Sequence, residues 1–166
     1  MNDNVVAAKP ATDKGKLTGE ITLIARDKDG NIKEERKVKN LIMNTGMAAV
    51  ASRINGDGSE ALFNYLAVGI TNTAPAATQT TLASEVVTVG LERAVATLSR
   101  DNTGGVTNDT AVLDKTWTVT GAGATVVEAG AFNAASAGVM LGRQIFGAIV
   151  LVATDTLQVI YKFSIS

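Results

Sequence analysis

The sequence predicts a mostly β fold, an antiparallel sandwich or barrel of short strands with one short helix. Runs in which apolar and polar residues alternate recur along the chain, and Gly-rich or Asp-Gly turns separate them, which is typical of sandwiches and barrels. Hydrophobic residues make up 46% of the 166 residues and charged residues 19%, a balance that excludes a disordered chain.

The length fits one domain preceded by an arm. Residues 1–17 are polar and show no periodicity, so they predict an extended, flexible N-terminal arm. Residues 18–166 carry the strand patterns and form the predicted single β-sandwich domain. A chain of this length can bury roughly 70% of the surface that its unfolded form exposes, so it needs neither a disulfide nor a metal to fold.

The predicted strands begin with a hairpin. Residues 19–26 alternate in polarity, and an Asp-Gly turn within residues 28–31 joins them to a return strand over residues 32–38. The inward face of the first strand is expected to carry Ile21, Leu23 and Ala25. The return strand has charges of both signs, which indicates a solvated face rather than a basic binding patch.

A short amphipathic helix is predicted over residues 44–56. Asn44 or Thr45 is expected to cap its N-terminus and Gly56 to end it. Four apolar residues share one of its faces and are expected to pack in the core: Met47, Val50, Ala51 and Ile54. A groove for a partner is the alternative interpretation of this stripe.

Further strands follow along the chain. Residues 63–69 form a predicted strand that runs into a surface loop over residues 71–78. The run 86–100 is ambiguous, but its β-branched residues favour one long strand, and residues 101–105 form a turn. Later strands are expected where Leu113, Lys115, Trp117 and Val119 alternate with polar residues, and over residues 126–133, 139–146 and 148–152. The last strand places five side chains on one face: Leu157, Val159, Tyr161, Phe163 and Ile165.

Charges become sparse in the C-terminal part. After Lys115 the charged residues are Glu128, Arg143, Asp155 and Lys162. Most outward strand positions there are Thr, Ser, Ala or Gln, and neutral faces of this kind suit contacts between subunits. The alternative is that this half forms the inner sheet of the sandwich, and both interpretations can hold together.

Composition excludes most catalytic chemistry. The chain has no Cys and no His, which removes thiol, zinc, haem and Ser-His-Asp sites. The net charge of −1 gives no field that would attract nucleic acid or an anionic membrane, and no apolar run could span a bilayer. The N-terminus lacks the apolar run of a signal peptide, so synthesis in the cytoplasm is expected.

Two motifs resemble binding loops but lack a defining residue. Residues 121–124 are expected to form a turn rather than a phosphate-binding loop, because no Lys-Ser or Lys-Thr follows them. Asp27, Asp29 and Asn31 alternate like the start of a calcium loop, but no glutamate occupies the closing position. We therefore expect no cofactor site and no metal site.

The remaining carboxylates do not form a recognisable catalytic group. Glu128 and Arg143 are predicted to form a structural ion pair across neighbouring strands. Glu85, Glu92 and Asp114 could serve acid–base chemistry, but nothing in the sequence brings them to one cleft. The sequence therefore predicts no catalytic residue and a protein that is not an enzyme.

Three segments carry a resemblance to a known group of proteins. They cover residues 27–46, residues 65–85 with Gly69-Ile70-Thr71-Asn72-Thr73, and residues 128–165. Together they resemble a family of small virion structural proteins of tailed bacteriophages, which includes capsid decoration and tail-fibre-like proteins. That family usually has Gly-Thr-Gly-Thr-Thr in the middle segment. The resemblance implies a jelly-roll-like sandwich located in the virion.

The resemblance makes capsid decoration the expected function. A decoration (cement) protein on the capsid surface would form a homo-oligomer, expected to be a trimer, over the joints between subunits of the major capsid protein. The arm would lie along a neighbour and add a strand to an exposed edge. The alternatives are a tail fibre, collar or baseplate protein, or a host carbohydrate-binding module. A sugar site needs exposed aromatic residues, whereas most aromatic residues here occupy strand positions whose side chains are expected to face the core.

Overall fold

A computed structural model describes residues 16–58, 60–103 and 105–165. These residues form nine strands and one helix: β1 (Leu17–Arg26), β2 (Ile32–Ile42), α1 (Asn44–Asn55), β3 (Tyr65–Gly69), β4 (Ala94–Val95), β5 (Thr97–Asp101), β6 (Thr110–Thr118), β7 (Ala124–Phe132), β8 (Met140–Leu151) and β9 (Thr156–Ile165). Most of the predicted arm, residues 1–15, lies outside the described residues, and β1 already begins at Leu17.

The strands form one antiparallel sheet in the order β4-β3-β7-β8-β2-β1-β9-β6-β5. The sheet folds over at two corners. At one corner the end of β2 pairs with β8 through Leu41 and Ile42. At the other, β4 continues into β5 through the buried Ala96. The sheet is therefore nearly closed into a barrel-like sandwich, which confirms the mostly β prediction.

The predicted hairpin is present and its turn is held by one side chain. β1 pairs with β2 from Gly19↔Asn40 to Arg26↔Ile32. The Asp27 carboxylate accepts hydrogen bonds from the backbone N–H groups of Asp29 and Asn31, both at 2.9 Å. An aspartate that satisfies turn N–H groups in this way fixes the turn locally.

The core lies between the two layers and follows the predicted strand phases. Its inward side chains on β1 and β9 are fully or almost fully buried: Ile21, Leu23, Ala25, Leu157, Val159, Tyr161 and Phe163. Ile165, which the alternation also placed inside, is exposed because β9 ends there at the rim of the sandwich. The Tyr161 ring stacks on Phe163 with centroids 5.2 Å apart, and its hydroxyl donates a hydrogen bond to the Ala129 carbonyl. Burial raises the pKa of the Tyr161 phenol above its ordinary value.

The prediction for the packing face of the helix is wrong. α1 buries Gly46 and Ala49 against β8, whereas Met47 and Ile54 are exposed and Ala51 also faces outward. Of the predicted stripe only Val50 packs, in part, against the core. A Cβ on Gly46 would lie 2.6 Å from the Leu141 Cα, so the close approach of helix and strand requires the smallest side chains.

The caps of α1 agree in part with the prediction. Gly56 ends the helix in the left-handed conformation, with φ 72°. The residue at the N-cap is Met43, which makes no side-chain capping bond, and not Asn44 or Thr45. Met43 is fully buried, so burial rather than capping chemistry fixes where the helix begins.

The long strand predicted over residues 86–100 is also wrong. Residues 86–93 are irregular, and only the short strands β4 and β5 follow them. Val89 and Gly90 adopt left-handed conformations, with φ 59° and 77°. A left-handed pair interrupts any strand, and β-branched Val89 is strained there.

The two strands predicted over residues 139–146 and 148–152 are one strand, β8, which runs from Met140 to Leu151. Gly147 lies within it and does not end it. The register between β7 and β8 shifts between Val126 and Glu128. Gly147 therefore lies at a β-bulge within β8 and not at a turn between two strands.

Replacing Tyr161 tests the core. We expect Tyr161→Ala to lower the free energy of unfolding by about 3–5 kcal/mol, because the ring is completely buried. Tyr161→Phe, which removes only the hydroxyl, should cost about 1 kcal/mol. Urea unfolding measures both variants. A cost of Tyr161→Ala below about 1 kcal/mol would show that the phase assigned to β9 is wrong.

Candidate functional site

A buried ion pair lies on the outer side of β7 and β8. The side chains of Glu128 and Arg143 are both 0% exposed, and the Arg143 Nη2 lies 2.6 Å from the Glu128 Oε2. The Arg143 Nε donates a second hydrogen bond to the same oxygen at 2.8 Å. The sequence prediction of a structural pair across neighbouring strands is therefore confirmed.

A long loop between β3 and β4 covers this pair and supplies its other partners. Arg143 donates to the Thr73 carbonyl and to the Gln79 side chain, both at 2.9 Å. Glu128 accepts hydrogen bonds from the backbone N–H groups of Ala83, at 3.3 Å, and Ser84, at 3.0 Å. Every one of these partners comes from the loop, so the pair fixes the loop on the sheet.

A second cation holds the far part of the same loop. Arg93 forms an ion pair with Glu85 at 2.5 Å and donates to the carbonyls of Ala134 and Ala137. Its guanidinium also lies 3.6 Å from the centroid of the Phe132 ring. The loop is thus fastened to the end of β7 as well as to its middle.

Beside the fastened loop lies an exposed surface without charge. We call it the neutral face, and it consists of Ile70, Val87, Thr125, Val127, Ala148, Val150 and Val152. Val150 pairs in register with Thr125, and a shallow groove of about 510 Å³ runs between Thr125, Val127 and the loop residues Ile70 and Val87. Val87 is 71% exposed and Val150 58%.

The outer surface of the β1–β2 hairpin is charged in the usual way. The outward positions of β1 and β2 carry both signs, and Lys37 pairs with Glu20 at 3.0 Å. The sparse charges of the C-terminal half are all engaged: besides Glu128 with Arg143, Lys162 pairs with Asp101 and Asp155 with Lys33. The neutral face is thus a local feature and not a consequence of low charge throughout.

Asp155 marks the border of the neutral face. Burial alone would raise the pKa of its carboxyl group, but the hydrogen bond and charge of Lys33 and a hydrogen bond from the Val152 N–H hold that pKa below its ordinary value. The charged form of Asp155 therefore stabilises the turn that ends β8.

The carboxylates considered for catalysis are not gathered into one group. Glu85 pairs with Arg93, Glu92 accepts a bond from the Gly90 N–H, and Asp114 accepts two from Gln158. Within the described ranges no three or more acidic side chains are placed to hold a metal ion. The sequence reasoning missed Arg93 and Gln79 as partners, since neither has a local signal that marks it.

The other motifs have structural roles. Asp27, Asp29 and Asn31 close the β1–β2 turn, as described above, and residues 121–124 include the turn that precedes β7. Trp117 is 5% exposed and donates its indole N–H to the Glu92 carbonyl. The described residues contain no helix that is both long enough and sufficiently apolar to cross a membrane.

Comparisons with known proteins add no assignment. Neither the scan against protein-family models nor the searches of curated proteins and of solved structures found a match to this chain. The role of the neutral face and of the buried pair is therefore inferred from the contacts, burial and charge of their residues.

Removing one charge of the buried pair should be costly. We expect Glu128→Gln to lower the free energy of unfolding by about 3–5 kcal/mol, because Arg143 would keep a buried charge without a counter-ion. Asp29→Asn, which breaks the exposed Lys28–Asp29 pair, is the control and should cost less than about 0.5 kcal/mol. Similar costs in chemical denaturation for both variants would contradict the structural role of the buried pair.

Asp155 should make stability depend on pH in acid. A carboxyl group whose pKa is lower in the folded than in the unfolded state stabilises the fold above its unfolded pKa, and that contribution is lost as the pH falls through the folded pKa. We expect Asp155→Asn to lower the melting temperature at pH 7, and the difference from the native chain to shrink well below pH 3.8, the ordinary value. A difference that is unchanged at pH 2 would contradict this assignment.

Proposed function

We propose that this chain is a non-enzymatic structural protein of a tailed-bacteriophage virion, most specifically a decoration protein on the capsid surface. The observation that carries its contact role is the neutral face: several large apolar side chains are exposed together on one surface, whereas the outward side of the β1–β2 hairpin is charged. Contiguous apolar surface on a soluble domain marks a contact site.

The construction of the neutral face supports contact with a protein rather than with a small molecule. The groove within it is shallow, and Glu85, the acidic residue among the described residues that line it, is occupied by Arg93. The face therefore offers shape and apolar area without a free charge to recognise a polar ligand. Depletion of charge at the centre of a contact is what protein–protein interfaces have in common.

The buried pair supports a mechanical role. Because Glu128 and Arg143 fix the loop that carries Ile70 and Val87, the neutral face is held in one conformation before any partner binds. A surface that is ordered in advance loses little entropy on association. Weak contacts repeated over a closed shell then add up to firm attachment.

The virion location and the finer description of the fold come from the resemblance. Residues 27–46, 65–85 and 128–165 resemble the phage family, and a jelly-roll arrangement, an N-terminal arm and contacts with the major capsid protein are parts of this proposal. A tail fibre, collar or baseplate position would use the same neutral face. A glycan-binding role has less support, because Trp117 and Tyr161 are buried.

The first experiment is to measure the copy number of this chain in purified particles. Quantitative mass spectrometry should find it in amounts comparable to the major capsid protein, because only the shell offers that many equivalent sites. A much smaller ratio would move the chain to the tail or fibres, and absence from the particles would overturn the virion proposal.

A charge placed on the neutral face tests which surface makes the contact. We expect Val150→Glu to reduce incorporation into particles at least about tenfold, since a buried unpaired carboxylate costs several kcal/mol. Ile32→Glu is the matched control. The exposed fraction of Ile32, 55%, is similar to that of Val150, but Ile32 lies on the charged β1–β2 hairpin. Equal incorporation of both variants, with unchanged melting temperatures, would overturn the role of the neutral face.

A further inference from the structure

The sandwich has an open seam at β5. In the strand order β5 is the last member, and among the described strands it pairs with β6 alone. The Ala96 N–H, directly before β5, still donates to the Asn64 carbonyl at 2.8 Å, but β5 then diverges from that segment. One edge of β5 therefore presents backbone groups that no described strand satisfies.

An apolar groove runs along this seam. It has a volume of about 510 Å³ and lies between β5 and the exposed side of α1. Four of its lining side chains are large, apolar and substantially exposed: Ile54 (83%), Ile165 (61%), Leu62 (54%) and Leu98 (45%). Ile54, which was predicted to pack in the core, therefore lines this groove instead.

The edge of β5 lacks two of the usual barriers to pairing. Native sheet edges are commonly protected by proline, bulges, short length or charged side chains. β5 has neither a proline nor a bulge, but it is five residues long and carries Arg100 and Asp101. β5 reads Thr-Leu-Ser-Arg-Asp and is paired with β6 in regular register throughout. Asp101 is already paired with Lys162, which leaves Arg100 as the charged side chain of β5 without an ion pair in the described part of the chain.

The sequence of β5 is compatible with pairing to itself. In an antiparallel arrangement about a two-fold axis at Ser99, Leu98 of one copy lies opposite Arg100 of the other, and Thr97 lies opposite Asp101. No like charges face each other, and the aliphatic stem of Arg100 can cover Leu98. A two-fold contact uses the same patch on both copies, so the apolar groove residues of the two seams would be buried together.

We propose that the open seam binds a second copy of this chain, through antiparallel pairing of β5 with β5 about Ser99. The β5 contact itself does not depend on the proposed function. Its role as the self-contact through which a virion structural protein assembles rests on that function. It predicts a dimer as the building unit, whereas the decoration hypothesis alone leads to a trimer.

Sedimentation velocity over a concentration series provides the test. The full chain should form a species of twice the 17.1 kDa chain mass. Leu98→Lys places a like charge opposite Arg100 at two symmetric positions and should weaken dimerisation at least about tenfold. The double variant Leu98→Lys with Arg100→Glu restores opposite charges and should recover the dimer. Ile32→Lys, at an apolar side chain that is 55% exposed on the β1–β2 hairpin, is the matched control and should dimerise normally.

Several results would overturn the inference. A monomer at every concentration, a trimer, or a dimer that Leu98→Lys does not weaken would each exclude the β5 contact, provided that thermal melting shows the variant to be folded. A chain that dimerises only after deletion of residues 2–15 would show that its own N-terminal residues occupy the seam.

The two proposals fail separately. If the purified chain is monomeric but is incorporated into particles at capsid copy number, the β5 contact is wrong and the virion function stands. If the β5 dimer forms and responds to the charge exchange but the chain is absent from particles, the self-contact stands and the virion function is wrong.

Discussion

The buried pair of Glu128 and Arg143 is the interaction on which the outer surface of this protein depends. Removing two charges from water costs several kcal/mol for each ion unless every polar atom finds a partner. Here the partners beyond the pair itself are supplied by one loop, through the Thr73 carbonyl, the Gln79 side chain and two backbone N–H groups. The sheet cannot keep the pair satisfied unless this loop adopts one conformation.

The loop conformation that satisfies the buried pair also shapes the neutral face. The loop that satisfies Arg143 also carries Ile70 and Val87, which lie beside the outward residues of β7 and β8. Charges of the same region are either buried or paired, as Asp155 is with Lys33. The neutral face therefore exposes no unpaired charge, because the charged side chains around it form ion pairs that stabilise the fold.

The seam at β5 offers a different kind of contact. Its proposed contact would use backbone groups that no described strand pairs with, next to exposed apolar side chains, whereas the neutral face offers side chains alone. The two surfaces lie at different places, the groove of the seam at the end of the sandwich near Leu17 and Ile165, and the neutral face near the turn that precedes β7. If both proposals hold, one surface would contact the chain's own copy and the other a different neighbour.

The sequence by itself determined the β1–β2 hairpin, most of the strands and the core side of β9, because period-two alternation and turn chemistry are local. It also indicated a pair between Glu128 and Arg143, two of the few charges on neighbouring predicted strands. Only the tertiary structure decided which face of α1 packs, since the close approach of Gly46 to Leu141 favours small residues over Met47 and Ile54. The loop partners of Arg143, and the position of β5 at the end of the described sheet, were decided there too, because they depend on contacts between residues distant in the chain.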